Sequence, residues 1–181
     1  MGLADAGRAT DGALTMAARP DPGRRGLLFG RRAAATPLRP PWALAEPAFL
    51  EACTACSACI SHCPERVLVP GAGRHPVFDP QLGECTFCGA CASACPTAAL
   101  DARRETWTLT ALAGDACLPR LGVVCSSCRD ACPEQAVRFP LLRAGVPLPV
   151  IETDRCSGCG ACVSVCPTRA LALHRTEGEP A

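Results

Sequence analysis

The sequence predicts a small α+β fold of two similar modules, each organised around bound groups and not around a large apolar core. The first observation is composition: sixteen of the 181 residues are cysteine, whereas aromatic residues make up only 4% and tyrosine is absent. The second observation is order, because the cysteines fall into four repeats of one spacing. A chain with so few large apolar side chains needs disulfides or bound metal to hold its fold.

Three of the repeats have the form Cys-x2-Cys-x2-Cys-x3-Cys-Pro, and the third repeat is a variant whose first cysteine lies farther upstream. In that variant, regular spacing would place the first cysteine at Gly122, so Cys117 must reach its site through a longer loop. No cysteine lies outside the repeats. In chain order the cysteines are Cys53, Cys56, Cys59 and Cys63; Cys85, Cys88, Cys91 and Cys95; Cys117, Cys125, Cys128 and Cys132; and Cys156, Cys159, Cys162 and Cys166.

This spacing is typical of cubane [4Fe–4S] clusters. Three cysteines of a tight loop can bind three corners of a cluster, and the fourth is carried away to a different position. Disulfides would explain an even number of cysteines but not four copies of one spacing that ends in Cys-Pro. Zinc sites usually use two separated Cys-x2-Cys pairs. The sequence therefore predicts four [4Fe–4S] clusters with all sixteen cysteines as ligands.

Each repeat also predicts the same order of secondary structure. An approach strand precedes three of the motifs, in PVFDPQLGEC, TALAGDAC and PVIETDRC. Similar tails follow each fourth cysteine: PERVLV, PTAALD, PEQAVR and PTRALA. Because proline suits the first turn of a helix, we expect the fourth cysteine to begin one short helical turn, followed by an exit strand.

The pairing of the four repeats has two alternatives. In two-cluster bacterial ferredoxins the fourth cysteine of each motif binds the other cluster, so four repeats predict two bacterial-type 2[4Fe–4S] ferredoxin modules. Tandem pairing joins the first repeat to the second and the third to the fourth. Nested pairing joins the first to the fourth and the second to the third. The gaps between adjacent motifs are similar, so spacing favours neither.

Four segments are expected along the chain. Residues 1–22 are expected to be disordered, with Met16 as a second candidate start. Residues 23–48 are expected to form a flexible basic arm, residues 49–175 the four-motif domain and residues 176–181 a tail.

The first 48 residues hold seven arginines and four acidic residues, whereas the remainder holds eleven arginines and thirteen acidic residues. Bound clusters add negative charge to the second part, so arm and domain differ in sign.

The stretch RRGLLFGRR begins like a twin-arginine export signal but does not continue as one. A signal needs an apolar stretch of about 7–15 residues after its basic region, whereas the apolar residues 26–30 are followed at once by further arginines. We interpret the segment as a retained docking arm; a solvated tail is the alternative. The candidate partner-binding residues are Arg24, Arg25, Leu27, Leu28, Phe29, Arg31, Arg32 and Trp42.

Several function classes receive no support from the sequence. The net charge of +1 does not favour nucleic acid as a partner. No stretch approaches the roughly 20 apolar residues of a membrane span. Neither a nucleophile with a base, nor a phosphate loop, nor a catalytic carboxylate pair is evident, so an enzyme is not expected.

Several motifs together resemble the NapF family, the four-cluster ferredoxin-type proteins encoded with periplasmic nitrate reductases. They are GRRGLLFGRR, LRPPWAL, CTACSACISHCP and GECTFCGACASACP, together with the irregular GDACLPRLGVVCSSCRDACP, which is the most specific. The resemblance covers about residues 23–173. Pro133 is a small departure, because family members often lack a proline there, and it leaves the cysteine assignment unchanged.

The resemblance implies a cytoplasmic accessory protein. It would bind the catalytic subunit precursor of the nitrate reductase before export and aid maturation of that subunit's iron–sulfur cluster. The alternative is a one-electron carrier, a polyferredoxin in a respiratory chain, and the clusters alone would favour it. A third reading, with purely structural clusters, is less favoured, since four clusters are more redox capacity than folding needs.

Overall fold

The computed structural model of the chain describes residues 36–103 and 107–176. From Pro37 onwards these residues belong to one compact unit. The docking residues predicted between Arg24 and Arg32 lie outside the described residues. None of the helices in the described part of the chain has the length and apolar character of a membrane span.

The secondary structure is that of the predicted small α+β fold, with short elements between cysteine loops. The helices are α1 (Glu46–Ala52), α2 (Ala58–Ser61), α3 (Ala90–Ser93), α4 (Ser127–Asp130) and α5 (Ala161–Ser164). The strands are β1 (Leu68–Pro70), β2 (Pro76–Phe78), β3 (Leu109–Ala113), β4 (Val137–Arg138), β5 (Val150–Ile151) and β6 (Leu171–Arg175).

The strands pair within each half of the chain, so the two modules follow one another in tandem. In the first half, β1 pairs antiparallel with β2, and an isolated antiparallel bridge joins Ala43 to Leu100. In the second half, β4 pairs with β5, and β3 pairs with β6 over Leu109–Ala113 and Leu171–Arg175. Each half therefore has an inner hairpin and an outer pair that brings its ends together.

The exit and approach strands lie where the repeats predict them, apart from one. The exit strands β1, β4 and β6 follow the first, third and fourth motifs, and β2, β3 and β5 precede the second, third and fourth. The second motif is followed only by the bridge at Leu100. The strand prediction is thus confirmed for three of the four tails.

The predicted helical turn after each fourth cysteine is wrong. The one-turn helices α2 to α5 instead contain the third cysteine of each motif. After Cys63 the chain makes a tight turn in which the amide of Arg66 donates to the carbonyl of Cys63 at 3.2 Å. Arg66 has a φ of +54°, and Gln135 and Arg169 occupy equivalent positions with φ of +49° and +52°. A left-handed residue ends a helical turn, because the next amide no longer points along the helix.

Residues 37–48 pack on the first module. The guanidinium of Arg39 is 7% exposed and forms a two-pronged ion pair with Glu46, with N···O distances of 2.6 and 2.9 Å. It also donates to the carbonyl of Pro76 at 2.9 Å and lies 4.7 Å from the ring centre of Phe49. The compact unit thus begins twelve residues before the predicted boundary of the cysteine domain at residue 49.

Two apolar clusters form the core: one lies within the second module, and the other centres on the first module and reaches Leu109 of β3. The larger one contains Phe49, Val67 and Phe78, whose side chains are at most 1% exposed. The smaller one centres on Val137, Val163 and Leu171. Cysteines contribute to both clusters, so the apolar core surrounds the cysteine sites and cannot be separated from them.

Candidate iron–sulfur centres

The structure gathers the sixteen cysteines into four groups of four, each around one small cavity. We name these groups sites A to D, in the order in which their loops occur in the chain. Site A is Cys53, Cys56, Cys59 and Cys95; site B is Cys63, Cys85, Cys88 and Cys91; site C is Cys117, Cys125, Cys128 and Cys166; and site D is Cys132, Cys156, Cys159 and Cys162.

Every site combines three cysteines of one loop with the fourth cysteine of a neighbouring repeat. The first and second repeats exchange Cys63 and Cys95, and the third and fourth exchange Cys132 and Cys166. The geometry is that of tandem pairing, which sequence spacing left open. It agrees with the strand pairing, which also closes each half of the chain on itself.

In three of the four loops a left-handed residue bends the backbone directly before the helix that carries the third cysteine. The residue before each of α2, α3 and α5 has a positive φ: +66° at Ser57, +76° at Gly89 and +91° at Gly160. At Gly160 a side chain would also meet Cβ of Pro80 at 2.8 Å, whereas nothing lies within 4 Å of the corresponding point at Gly89. Glycine is therefore required by packing only in the fourth repeat.

The irregular Cys117 joins site C through a short 3₁₀ turn. Cys117 precedes the turn Leu118–Leu121, and the amide of Arg120 donates to its carbonyl at 2.9 Å. The turn ends at Gly122, with a φ of +80°, which is the position where regular spacing would put the cysteine. The longer spacing is thus accommodated by one extra turn, and the Cys117 side chain remains largely buried.

The third cysteine of each motif is the most buried. Burial raises the pKa of Cys59 and Cys128 to about 11, and that of Cys91 and Cys162 to about 12. These thiols stay protonated at neutral pH unless a positively charged centre binds them, and binding must then release their protons. Four such sulfur donors around one cavity fit an iron–sulfur cluster.

Two fourth cysteines have a threonine partner that the sequence analysis missed. Burial alone would raise the pKa of Cys95 and Cys166, but hydrogen bonds outweigh it and lower the pKa of both thiols. The hydroxyls of Thr97 and Thr168 lie 3.6 and 3.7 Å from these sulfurs. The signal was present in the sequence, since the second and fourth motifs end in Cys-Pro-Thr and the other two in Cys-Pro-Glu.

The predicted partner-binding residue Trp42 lies beside site B. Its side chain is half-buried against the first apolar cluster, and together with Pro41 it lines the cavity of site B. Its carbonyl accepts a hydrogen bond from the amide of Asp101 at 2.9 Å. The other seven candidate docking residues lie outside the part of the chain that the structure describes.

Comparisons with known proteins agree with this geometry. Two family models, both described as 4Fe-4S dicluster domain, match residues 52–100 and 123–170. The first match contains Cys63 and Cys95, and the second contains Cys132 and Cys166, which are the fourth cysteines that the two repeats of each module exchange. No solved structure matches the chain.

Curated relatives match over most of the chain. The ferredoxin-type protein NapF of Escherichia coli (strain K12) is 42% identical over 153 residues, which cover 83% of this chain and 93% of that protein. NapF of Haemophilus influenzae is 40% identical over 138 residues, covering 76% of this chain and 78% of the relative. The methylamine utilization ferredoxin-type protein MauM of Methylophilus methylotrophus is 34% identical over 162 residues, covering 78% and 71%.

Two dicluster domains and four groups of four cysteines account for four [4Fe–4S] clusters. Such clusters carry single electrons, so the protein is of the iron–sulfur electron-transfer type. From the extent of these matches, the chain belongs to the NapF family of ferredoxin-type proteins.

Proposed function

We propose that the sixteen cysteines are the cluster ligands, grouped as in sites A to D. The convergence of four sulfurs at each site is the observation that supports this assignment. When bound, each cluster would supply one-electron redox chemistry. The chain's own residues would hold the clusters in apolar surroundings, and Thr97 and Thr168 would donate hydrogen bonds to sulfur at the two fourth cysteines nearest them.

A hydrogen bond to a ligand sulfur favours the more negative, reduced state of a cluster and so raises its reduction potential. At site A the Thr97 hydroxyl oxygen accepts from the amide of Ala99 at 3.3 Å, which leaves its proton for the sulfur of Cys95. In Thr97→Val we expect the potential of the site A cluster to fall by about 40 mV, the equivalent of about 1 kcal/mol for one electron.

Redox titration of the holoprotein followed by electron paramagnetic resonance (EPR) measures this shift. Thr97→Ser is the matched control, because it keeps the hydroxyl, and its potential is expected to stay close to that of the unchanged protein. A Thr97→Val potential that is unchanged or higher contradicts the assigned hydrogen bond.

For the biological role, we propose an accessory protein of a periplasmic nitrate reductase system that acts in the cytoplasm. It would bind the precursor of the catalytic subunit before export and aid assembly of that subunit's iron–sulfur cluster. Membership of the NapF family supports this role. The basic segment RRGLLFGRR, which lacks the long apolar stretch of an export signal, supports retention in the cytoplasm.

The docking element in this proposal is the part of the predicted 23–48 arm that precedes residues 37–48, which pack on the first module. Its arginines would meet an acidic surface or peptide, and its apolar residues would be the anchors at the centre of the interface. The apolar anchors proposed are Leu27, Leu28 and Phe29, and the arginines are Arg24, Arg25, Arg31 and Arg32. Trp42 would join this arm to the first module, where it packs beside site B.

A second candidate function is that of a plain electron carrier. The observation that favours it is the presence of four cysteine sites in one compact unit. A carrier would deliver electrons to the respiratory chain and would leave assembly of the reductase unaffected. The related MauM protein is named for methylamine utilization, which is compatible with one scaffold serving different redox systems.

A strain that lacks the gene separates the two candidates. Nitrate reductase activity is measured with an artificial reductant and, separately, through the quinol pathway. The accessory role predicts that artificial-donor activity falls, together with the iron content of the catalytic subunit. If artificial-donor activity and iron content are normal and only quinol-driven activity falls, the protein belongs to the electron supply and the accessory role is wrong.

Complementation with full-length variants tests the docking arm. The triple substitution L27S, L28S and F29S is expected to retain its clusters yet fail to restore artificial-donor activity, since the apolar anchors are lost. Leu141→Ser, which changes a fully exposed apolar residue of the second module, is the matched control and is expected to restore activity. Full restoration by the triple variant excludes this docking element.

A further inference from the structure

The two modules meet at the loops that hold sites B and D. The amide of Cys85 donates a hydrogen bond to the carbonyl of Cys159 at 2.7 Å. Cys85 belongs to site B and Cys159 to site D. A single hydrogen bond therefore joins one candidate ligand residue of site B to one of site D.

Close packing holds this junction in place. The indole nitrogen of Trp107 donates to the carbonyl of Ser157 at 2.8 Å, and its ring lies 5.4 Å from that of Phe78. A side chain at Gly160, in the loop of the fourth motif, would meet Cβ of Pro80 at 2.8 Å and the ring of Phe78 at 3.1 Å. The loop of the fourth motif thus lies directly on the first module, with no space for a side chain between them.

Within each module the two sites are also neighbours. Helices α2 and α3, which carry the third cysteines Cys59 and Cys91 of sites A and B, pack against each other. In the second module α4 and α5, which carry Cys128 and Cys162 of sites C and D, also pack against each other. Together with the Cys85–Cys159 contact, these neighbours define one order of sites: A, B, D, C.

We infer that the four clusters form a single linear chain in the order A–B–D–C, and that electrons cross between the modules at the Cys85–Cys159 hydrogen bond. A one-electron donor protein would reduce one cluster. Each later step oxidises that cluster by one electron and reduces its neighbour by one electron, with no bond made or broken. The inference goes beyond the proposed function, since it holds whether the electrons serve cluster assembly or respiration.

The fully reduced holoprotein tests this order. Its reduced clusters are paramagnetic, and neighbouring spins broaden and split each other's EPR signals. The chain predicts three neighbour interactions, namely A with B, B with D and D with C. A spectrum and relaxation behaviour described fully by two independent pairs of spins, one in each module, would overturn the inference.

Two glycine variants locate the crossing point. Gly160→Ala places a methyl group against Pro80 and Phe78 at the junction, whereas the equivalent Gly89→Ala points into open space. Both positions have a left-handed φ, of +91° and +76°, so both substitutions carry similar backbone strain. Ser57 occupies the equivalent position of the first motif with a φ of +66°, so this backbone conformation tolerates a side chain where space allows.

With clusters loaded in both variants, Gly160→Ala is expected to weaken the interaction between modules and to leave the interactions within modules unchanged. Gly89→Ala is expected to match the unchanged protein. Equal interaction between modules in the two variants would contradict the crossing point. If Gly160→Ala does not retain its clusters, Trp107→Phe provides the same test, because it removes the hydrogen bond to Ser157 and keeps an aromatic ring.

Discussion

Replacing Cys95 with alanine is expected to remove the cluster whose other three ligands lie in the first repeat. Cys95 follows the loop of the second repeat, yet its sulfur lines site A with Cys53, Cys56 and Cys59. A [4Fe–4S] cluster that loses one of four thiolates is left with an open iron. We expect Cys95→Ala to lose about four iron atoms per chain and to keep the clusters of the other three sites.

Double variants turn this result into a test of tandem pairing. Cys53→Ala and Cys95→Ala act on the same cluster, so the combined variant is expected to lose no more iron than either single variant. Cys95→Ala combined with Cys117→Ala acts on sites A and C and is expected to lose about eight iron atoms. Nested pairing reverses these two outcomes, because Cys95 would then serve the cluster bound by Cys117. Iron and acid-labile sulfide contents measure both.

Removing the iron is expected to unfold both modules. The largest fully buried side chains are few, led by Phe49 and Phe78, and cysteines of the four sites take part in both apolar clusters. Without clusters, the cysteine loops would surround empty apolar cavities, and the strand pairs are too short to persist alone. Folding and cluster binding are therefore coupled, as in other small metal-dependent domains.

Anaerobic chelation followed by circular dichroism and amide hydrogen exchange measures this coupling. We expect loss of protection in β3 and β6, whose five-residue pairing is the longest among the described strands. Iron with sulfide is expected to restore the protection, whereas zinc alone is the control and is not. Native-like protection in the iron-free chain would show that the apolar core suffices by itself.

The convergence of each loop's three cysteines on one cavity and the small α+β fold could be predicted from the sequence, because both depend on local spacing. A motif such as Cys85-x2-Cys88-x2-Cys91 limits which sulfurs can reach one cavity, and the alternation of motifs and apolar tails predicts short strands. The 3₁₀ turn that carries Cys117 into site C accounts for the irregular spacing in the same local terms.

The position of the helical turns could not be read from residue type. The prediction placed them after each Cys-Pro, but Arg66, Gln135 and Arg169 take left-handed conformations there. Such conformations are typical of glycine and are uncommon for arginine or glutamine. They are held by the tertiary arrangement, since the chain must turn back towards its exit strand directly after the fourth cysteine.

The pairing of the repeats was also beyond local reasoning. It depends on contacts between distant residues, such as the bridge between Ala43 and Leu100 and the ladder of β3 with β6. The junction between modules likewise depends on distant contacts, those of Trp107. Its hydrogen bond to Ser157 spans fifty residues of the chain, and no periodic pattern indicates it.

Mössbauer spectroscopy of the anaerobically purified full-length protein, combined with iron and protein determinations, decides whether four clusters are present, because together they identify and count all the iron. Four occupied sites predict about sixteen iron atoms per chain, all in [4Fe–4S] clusters. Iron in fewer clusters after full reconstitution, or mononuclear iron bound by the cysteines, would contradict four cluster sites in two tandem modules.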